Sequence, residues 1–175
     1  MKLKLFFTLL LVTVFMVACG DTDNGGDDTT DDTDVVTASS QVADEESIQT
    51  AASEDGTWII IATEDITLSD ELVVEGTFYN RDDEDADLYR KIAAYDQDDE
   101  QNITDQYTIE TSRLVVQSEN VNFQGGTLAG DIYVEADGFQ LHETSTVTGD
   151  IIFANEDFEA SADISGTVEG EVSVE

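Results

Sequence analysis

Thr127-Leu128-Ala129-Gly130-Asp131-Ile132 recurs downstream as Thr146-Val147-Thr148-Gly149-Asp150-Ile151, and after a nearly equal interval as Thr167-Val168-Glu169-Gly170-Glu171-Val172. Between the first two copies Phe139 matches Phe158 and Val134 matches Phe153. Upstream, Ile109 and Val115 precede Leu128 and Val134 by the interval that separates the first two copies, so the period begins near Tyr107. A unit of this size cannot bury its own apolar face and needs neighbours, which is why such units follow one another. Each unit sets apolar residues at three points: Leu128, then Ile132 with Val134, then Phe139 with Leu141. Three short strands per unit, with alternate residues inward, make one coil of a β-solenoid in which each coil hydrogen-bonds to the next. Gly130, Gly149 and Gly170 then stack at one corner, where the chain must bend, with Ile132, Ile151 and Val172 recurring beside them. The competing all-β fold is an antiparallel sandwich, which also has many short strands with turn signals. Hairpins do not require corresponding residues to recur at a fixed interval, and that favours the solenoid.

The same strand character begins at Thr57. TWIIIATEDITLSDELVVEGTF carries short β-branched runs broken by Asp, Ser and Gly, too short for helices. Residues 57–175 are therefore read as one solenoid domain. An acidic insertion from Arg81 to Asp105 interrupts it, in which LYRKIAAY (Leu88 to Tyr95) is the one strand candidate between solvated loops. Proline is absent from all 175 residues, which favours unbroken backbone ladders. A single cysteine rules out an internal disulfide, so stability rests on apolar burial.

That cysteine closes the opening stretch MKLKLFFTLLLVTVFMVACG. Lys2 and Lys4 make a basic start, and Leu5 to Ala18 supply fourteen residues without charge. This is the length of a signal-peptide apolar region, whereas a membrane-spanning helix needs about 20 residues. Met16-Val17-Ala18-Cys19 resembles the lipobox of bacterial lipoproteins, with Met16 where Leu is more usual. The resemblance implies removal of residues 1–18, a diacylglyceryl group on the Cys19 sulfur, and anchorage to the outer face of a bacterial membrane. Residues 19–56 then read as the lipidated cysteine and a disordered acidic linker. The stretch from Gly20 to Gly56 holds twelve acidic residues and no basic one.

GTLAGDIYVEA, STVTGDIIFAN and SGTVEGEVSVE resemble the rungs of bactofilins, polymer-forming bacterial proteins built as right-handed parallel β-helices. The resemblance covers about Leu114 to Glu175. It implies a parallel β-helix and raises self-assembly through the end coils. Bactofilins are typically cytoplasmic or held at the inner face of the membrane, whereas Cys19 turns this chain outward. Taken with TWIIIATEDITLSDELVVEGTF and LYRKIAAYDQDDEQNIT, the chain also resembles uncharacterised anchored lipoproteins that carry such a domain.

Charge narrows the partners. All 41 acidic residues follow Cys19 and only four of the six basic ones do, so the mature chain carries a formal −37. Such a field repels nucleic acid and anionic headgroups, and also repels the folded chain from itself unless salt or divalent cations screen it. No nucleic acid is expected as a partner. The expected partners are the membrane through Cys19, a second copy, or an envelope protein or glycan. An acid-rich, lysine-poor surface is also the pattern of salt-adapted proteins.

Few residues invite chemistry. Asp21, Asp23, Gly26 and Asp27 begin like a calcium loop, but Gly25 and Asp32 break its pattern. Weak collective binding of divalent cations needs no such geometry, and no dedicated cofactor or metal site is expected. Asp131 and Asp150 would stand about 5 Å apart on adjacent coils, near the separation of a retaining glycosidase pair. Glu171 continues the row, which reads better as a repeated solvent-facing corner, and only Arg113 lies near the repeats as a base. A polysaccharide lyase or hydrolase is therefore the weaker alternative to a non-enzymatic structural or interaction module, with a cation- or ligand-binding lipoprotein between them. His142 reads as an exposed strand residue without ligand partners. Asn102-Ile103-Thr104 is a glycosylation sequon by pattern only.

Overall fold

A computed structural model describes residues 39–175. The expected signal peptide, Cys19, the calcium-like loop and the first half of the linker lie outside them. Strand β1 (Ser39–Val42) leads into helix α1 (Glu45–Ala52), and β2 (Ile59–Ala62), β3 (Ile66–Thr67) and β4 (Leu72–Val74) follow. After a 3-10 turn at Asn80–Asp82 come β5 (Arg90–Ala93), β6 (Tyr95–Gln97), β7 (Ile103–Gln106), β8 (Thr108–Val116) and β9 (Val121–Gln124). The chain continues through β10 (Gly126–Val134), β11 (Gln140–Leu141), β12 (Ser145–Val147) and β13 (Ile151–Phe153). Helix α2 (Glu156–Ser161), β14 (Asp163–Ile164), β15 (Thr167–Val168) and β16 (Val172–Val174) complete it.

The protein is mostly β, and its two larger sheets pair in parallel. One sheet, called A here, runs β1-β2-β5-β9-β11-β14. In the other, sheet B, β3 and β4 lie along β8, β8 along β10, β10 along β12 and β13, and these along β15 and β16. The chain visits the two sheets in turn. Only β6 and β7 form an antiparallel hairpin among the named strands, so the antiparallel sandwich is set aside.

Register follows the sequence repeat. Leu128 stands beside Val147 and Val147 beside Val168; Ile132, Ile151 and Val172 form a second row, and Val134, Phe153 and Val174 a third. All but Val172, which is exposed on the last strand, join residues of sheet A in a single apolar core. Ile60, Ile92, Phe123, Leu141 and Ile164 form the matching inward row of sheet A. Phe123, Phe139 and Phe153 are all fully buried. Each such ring contributes about 1.5–3 kcal/mol by leaving water.

Two of the repeat equivalences shift. Val115 pairs with Tyr133 and Val116 with Val134, because the register of β8 against β10 slips between Ala129 and Asp131. The extra residue is absorbed opposite Gly130, where Thr111 is buried with its hydroxyl 2.9 Å from the Asp70 carbonyl. Phe158 is not the counterpart of Phe139 in the ladder. It lies in α2, while Gln140 and Leu141 pair with Asp163 and Ile164.

The linker gives way to structure well before Gly56. β1 pairs with β2 from Ser39 onward. Helix α1 starts at an Asp44 cap whose carboxylate accepts from the Ser47 amide at 2.8 Å, while Ser47 Oγ accepts from the Asp44 amide at 3.2 Å. The Ser47 amide bond holds the Asp44 carboxyl below its usual range. Ile48, Ala51 and Ala52 are buried, and the helix lies against β1 and β2 of one sheet and β4 of the other. It therefore covers the first end of the core. Acidic composition concealed this segment, whose helix-forming face needs only three small or apolar residues.

The acidic insertion also divides. β5 sits inside it as a regular strand of sheet A, with Arg90 and Ile92 fully buried. What leaves the sheets is the loop before β5 and the β6–β7 hairpin after it. Beside the hairpin the Tyr107 hydroxyl donates to Asp96 Oδ2 at 2.7 Å, and this bond to a carboxylate pushes the phenol up to about 12. A folded value above the unfolded one of about 10 means that its stabilising contribution is complete below that pH and lost as pH rises through about 12. In an ultraviolet tyrosinate titration, Asp96→Asn is expected to return Tyr107 toward 10.

Candidate functional site

The glycine-and-acid repeat is built into the backbone ladder. Gly149 donates its amide to the Gly130 carbonyl at 3.1 Å. Asp131 Oδ1 accepts from the Asp150 amide at 2.9 Å, and Asp150 Oδ1 accepts from the Glu171 amide at 2.8 Å. Each carboxylate thus reaches across to the next strand and folds over the next glycine. A Cβ on Gly149 would overlap Asp131 Oδ1 and stand 2.5 Å from the Gly130 carbonyl oxygen; one on Gly170 would overlap Asp150 Oδ1 in the same way. The structure brings Gly130, Gly149 and Gly170 into one column, with Ile132 and Ile151 buried next to it and Val172 45% exposed on the last strand. Asp131 lies in β10 and Asp150 immediately before β13, which pairs with β10. One oxygen of each, Oδ1, however, accepts from a backbone amide of the neighbouring segment, which is a structural use.

Arg113 stands in register with Asp131 and lies over the Tyr133 ring at 5.5 Å. The Tyr133 hydroxyl donates to the Glu175 carboxylate, which raises the phenol above its usual value. His142 is half-buried, where an exposed position is expected from the sequence, with Nδ1 2.9 Å from Thr144 Oγ1. Among the described residues no group of three or more His, Cys, Asp or Glu side chains is arranged to hold a metal ion. Among the same residues no helix is long and apolar enough to cross a membrane.

A different feature occupies the outer face of sheet A. Residues between the inward positions face outward, so Lys91, Asn122, Gln140 and Asp163 form a row on successive strands β5, β9, β11 and β14. Two concavities meet along this row. One, of about 150 Å3, is lined by Asn122, Gln140, Leu141, His142, Glu143, Asp163 and Ser165. The other, of about 660 Å3, is lined by Asn80, Ala86, Asp87, Leu88, Tyr89, Asn120 and Gln140. Gln140 borders both, so the two adjoin and are together called the groove below. Four of its lining residues carry carboxamides, none is lysine or arginine, and His142 is the one imidazole.

Asn122 is only 8% exposed. Its Nδ2 donates to the Tyr89 hydroxyl at 3.1 Å, while Oδ1 has no hydrogen-bond partner among the described residues. An acceptor left so in the interior costs about 1–3 kcal/mol. Tyr89 is half-buried and its ring lies 6.1 Å from that of Trp58, tilted by 58°. Beside them the Lys91 ammonium donates to the Tyr95 hydroxyl at 2.9 Å and is held away from the groove lining. The outer row is invisible to a fixed-interval reading. The only local signal is a polar residue immediately before each inward apolar one, as in Lys91-Ile92, Asn122-Phe123, Gln140-Leu141 and Asp163-Ile164.

No family model, no curated protein and no solved structure matches this chain.

Proposed function

We propose that this chain is a lipid-anchored, non-enzymatic structural or interaction module of the bacterial envelope, built as a right-handed parallel β-helix with bactofilin-like rungs. The observation that carries the reading is the row of Gly130-Asp131, Gly149-Asp150 and Gly170-Glu171. Asp131 and Asp150, the acidic side chains most suited to chemistry by their place in the repeat, each use one oxygen to join one rung to the next. A scaffold stiffened in this way holds a surface in place instead of turning over a substrate. The lipobox-like Cys19 would hold that surface outside the membrane, on a tether of acidic residues that ends where β1 begins. Binding of cations by the carboxylates, weak and collective, is the subordinate reading.

Self-association is a second reading, favoured by the exposure of Val172 and by the one-sided pairing of β14, β15 and β16 among the described residues. Because α1 covers the other end of the core, end-to-end contact would join two copies and not extend into a filament. Expression of the full chain and of Cys19→Ser in a bacterium tests the whole proposal. The parent is expected in the membrane fraction and the variant in the soluble one, with the released variant no larger than a dimer by light scattering at any salt concentration. Equal fractionation of the two would remove the anchor, and filaments would remove the blocked end.

A further inference from the structure

We propose that the groove on the outer face of sheet A binds an uncharged oligosaccharide, which lies across the strands. The proposal rests on the reading of this chain as an interaction module and names its ligand.

The geometry supplies what a sugar needs. Asn122, Gln140 and Asp163 stand in register on three neighbouring strands, spaced by about 4.8 Å, close to the length of one pyranose ring. A carboxamide both donates and accepts from one plane, and so can take two adjacent sugar hydroxyls at once. Asn120 and Gln140 continue this polar lining toward Tyr89. The Asn122 side chain, more than nine-tenths buried, borders the groove and has an oxygen without a partner among the described residues. The oxygen is shielded from solvent, so a ligand hydroxyl pairs with it once the Asn122 side chain turns toward the groove. If the amide is turned over, the unpartnered atom becomes an N–H, and the same hydroxyl accepts from it. Tyr89 presents part of a ring against which the C–H face of a sugar can pack.

Charge decides between classes of glycan. Glu143, Asp163 and Asp87 border the groove, His142 is its one imidazole and no lysine or arginine lines it, and the whole chain carries −35. A polyanionic glycan would be repelled, whereas neutral hydroxyls can donate to these carboxylates.

The test is calorimetric titration of the full-length chain, held in a sugar-free zwitterionic detergent, with cellohexaose, mannohexaose and N-acetylchitohexaose, and with hexagalacturonate as the acidic control. Binding of at least one neutral oligosaccharide and none of the galacturonate is expected. Gln140→Ala and Asn122→Leu should each weaken it by about tenfold or more, the contribution of one well-placed hydrogen-bonding side chain. Gln140 is half-buried, so its variant keeps the test valid should Asn122→Leu fail to fold. Three silent neutral titrations, binding of galacturonate as tight as of the neutral sugars, or undiminished affinity in Gln140→Ala would each overturn the proposal. Membrane fractionation of the parent chain would be unaffected by such a failure, so the module reading and the glycan reading can fall separately.

Discussion

Arg90→Met is expected to lower the free energy of unfolding by about 3 kcal/mol or more, because several buried acceptors lose a donor at about 1–3 kcal/mol each. Arg90 is fully buried and has no carboxylate among its hydrogen-bond partners. Its Nε donates to the Thr57 carbonyl at 3.1 Å, and one terminal nitrogen donates to the Ala51 carbonyl at 2.7 Å and the Ser53 carbonyl at 3.1 Å. The other donates to the Glu75 carbonyl and to Ser118 Oγ, the latter at 3.1 Å. The guanidinium plane stacks over Phe78, 4.0 Å from the ring centroid. Burial pulls its pKa down to about 10, against an opposing pull from Glu75, which leaves it protonated at neutral pH.

These bonds tie together the last turn of α1, the start of β2, and the segments after β4 and β8. Carbonyls at a helix C-terminus have no partner within the helix and favour a cation. Arg90 supplies both the donors and the charge. Methionine fills the volume but withdraws the donors from the Thr57 and Glu75 carbonyls and Ser118 Oγ, while the Ala51 and Ser53 carbonyls keep the amides of Thr57 and Gly56. Arg90→Lys is expected to recover little, because an ammonium has three donors and cannot span the planar fork. Urea titration followed through Trp58 measures both variants. A loss below about 1 kcal/mol for Arg90→Met, the level of one ordinary hydrogen bond, would show that the cap is held by apolar contact alone.

Gly149→Ala is the second large effect, a loss of about 1–3 kcal/mol from overpacking. No unusual dihedral is involved; the cause is space. The new methyl group would meet both the Asp131 carboxylate and the Gly130 carbonyl oxygen. These two obstacles can be separated. Asp131→Ala removes the carboxylate, so the added cost of Gly149→Ala should fall in that background but not vanish, because the backbone oxygen stays 2.5 Å away. Asp131→Ala alone removes the bond to the Asp150 amide and is expected to cost less than Gly149→Ala. A double-mutant cycle by urea titration gives the coupling, and strict additivity would sink the account of the column.

The parts of the fold legible in the sequence are those repeated at short range. Leu128, Val147 and Val168 recur because successive parallel strands of sheet B must place an apolar residue beside the last, and strand register keeps the interval. The same logic misassigned Val115 and Phe158. A single extra residue opposite Gly130 displaces the first, and α2 takes up the difference between rungs of unequal length for the second. Sheet A escaped a fixed-interval reading altogether. Its paired positions are separated by long stretches of chain from Ile59 to Lys91 and from Lys91 to Asn122, then by much shorter ones from Asn122 to Gln140 and from Gln140 to Asp163. Loops of different lengths separate them, so no constant period links them. Acidic loops on both sides likewise made β5 look like part of an insertion, although its Arg90 and Ile92 are interior.

By itself the sequence determines the inward rows of sheet B and the mostly β character of the chain. It also places the glycines and acids at one position of each unit, since local alternation and a constant repeat are properties of neighbouring residues. Tertiary structure alone decides that α1 closes one end, that Arg90 fastens it, and that Asn122, Gln140 and Asp163 face the same groove. Those three depend on which strands lie side by side after unequal loops, and lateral pairing is chosen by the closing of the whole core.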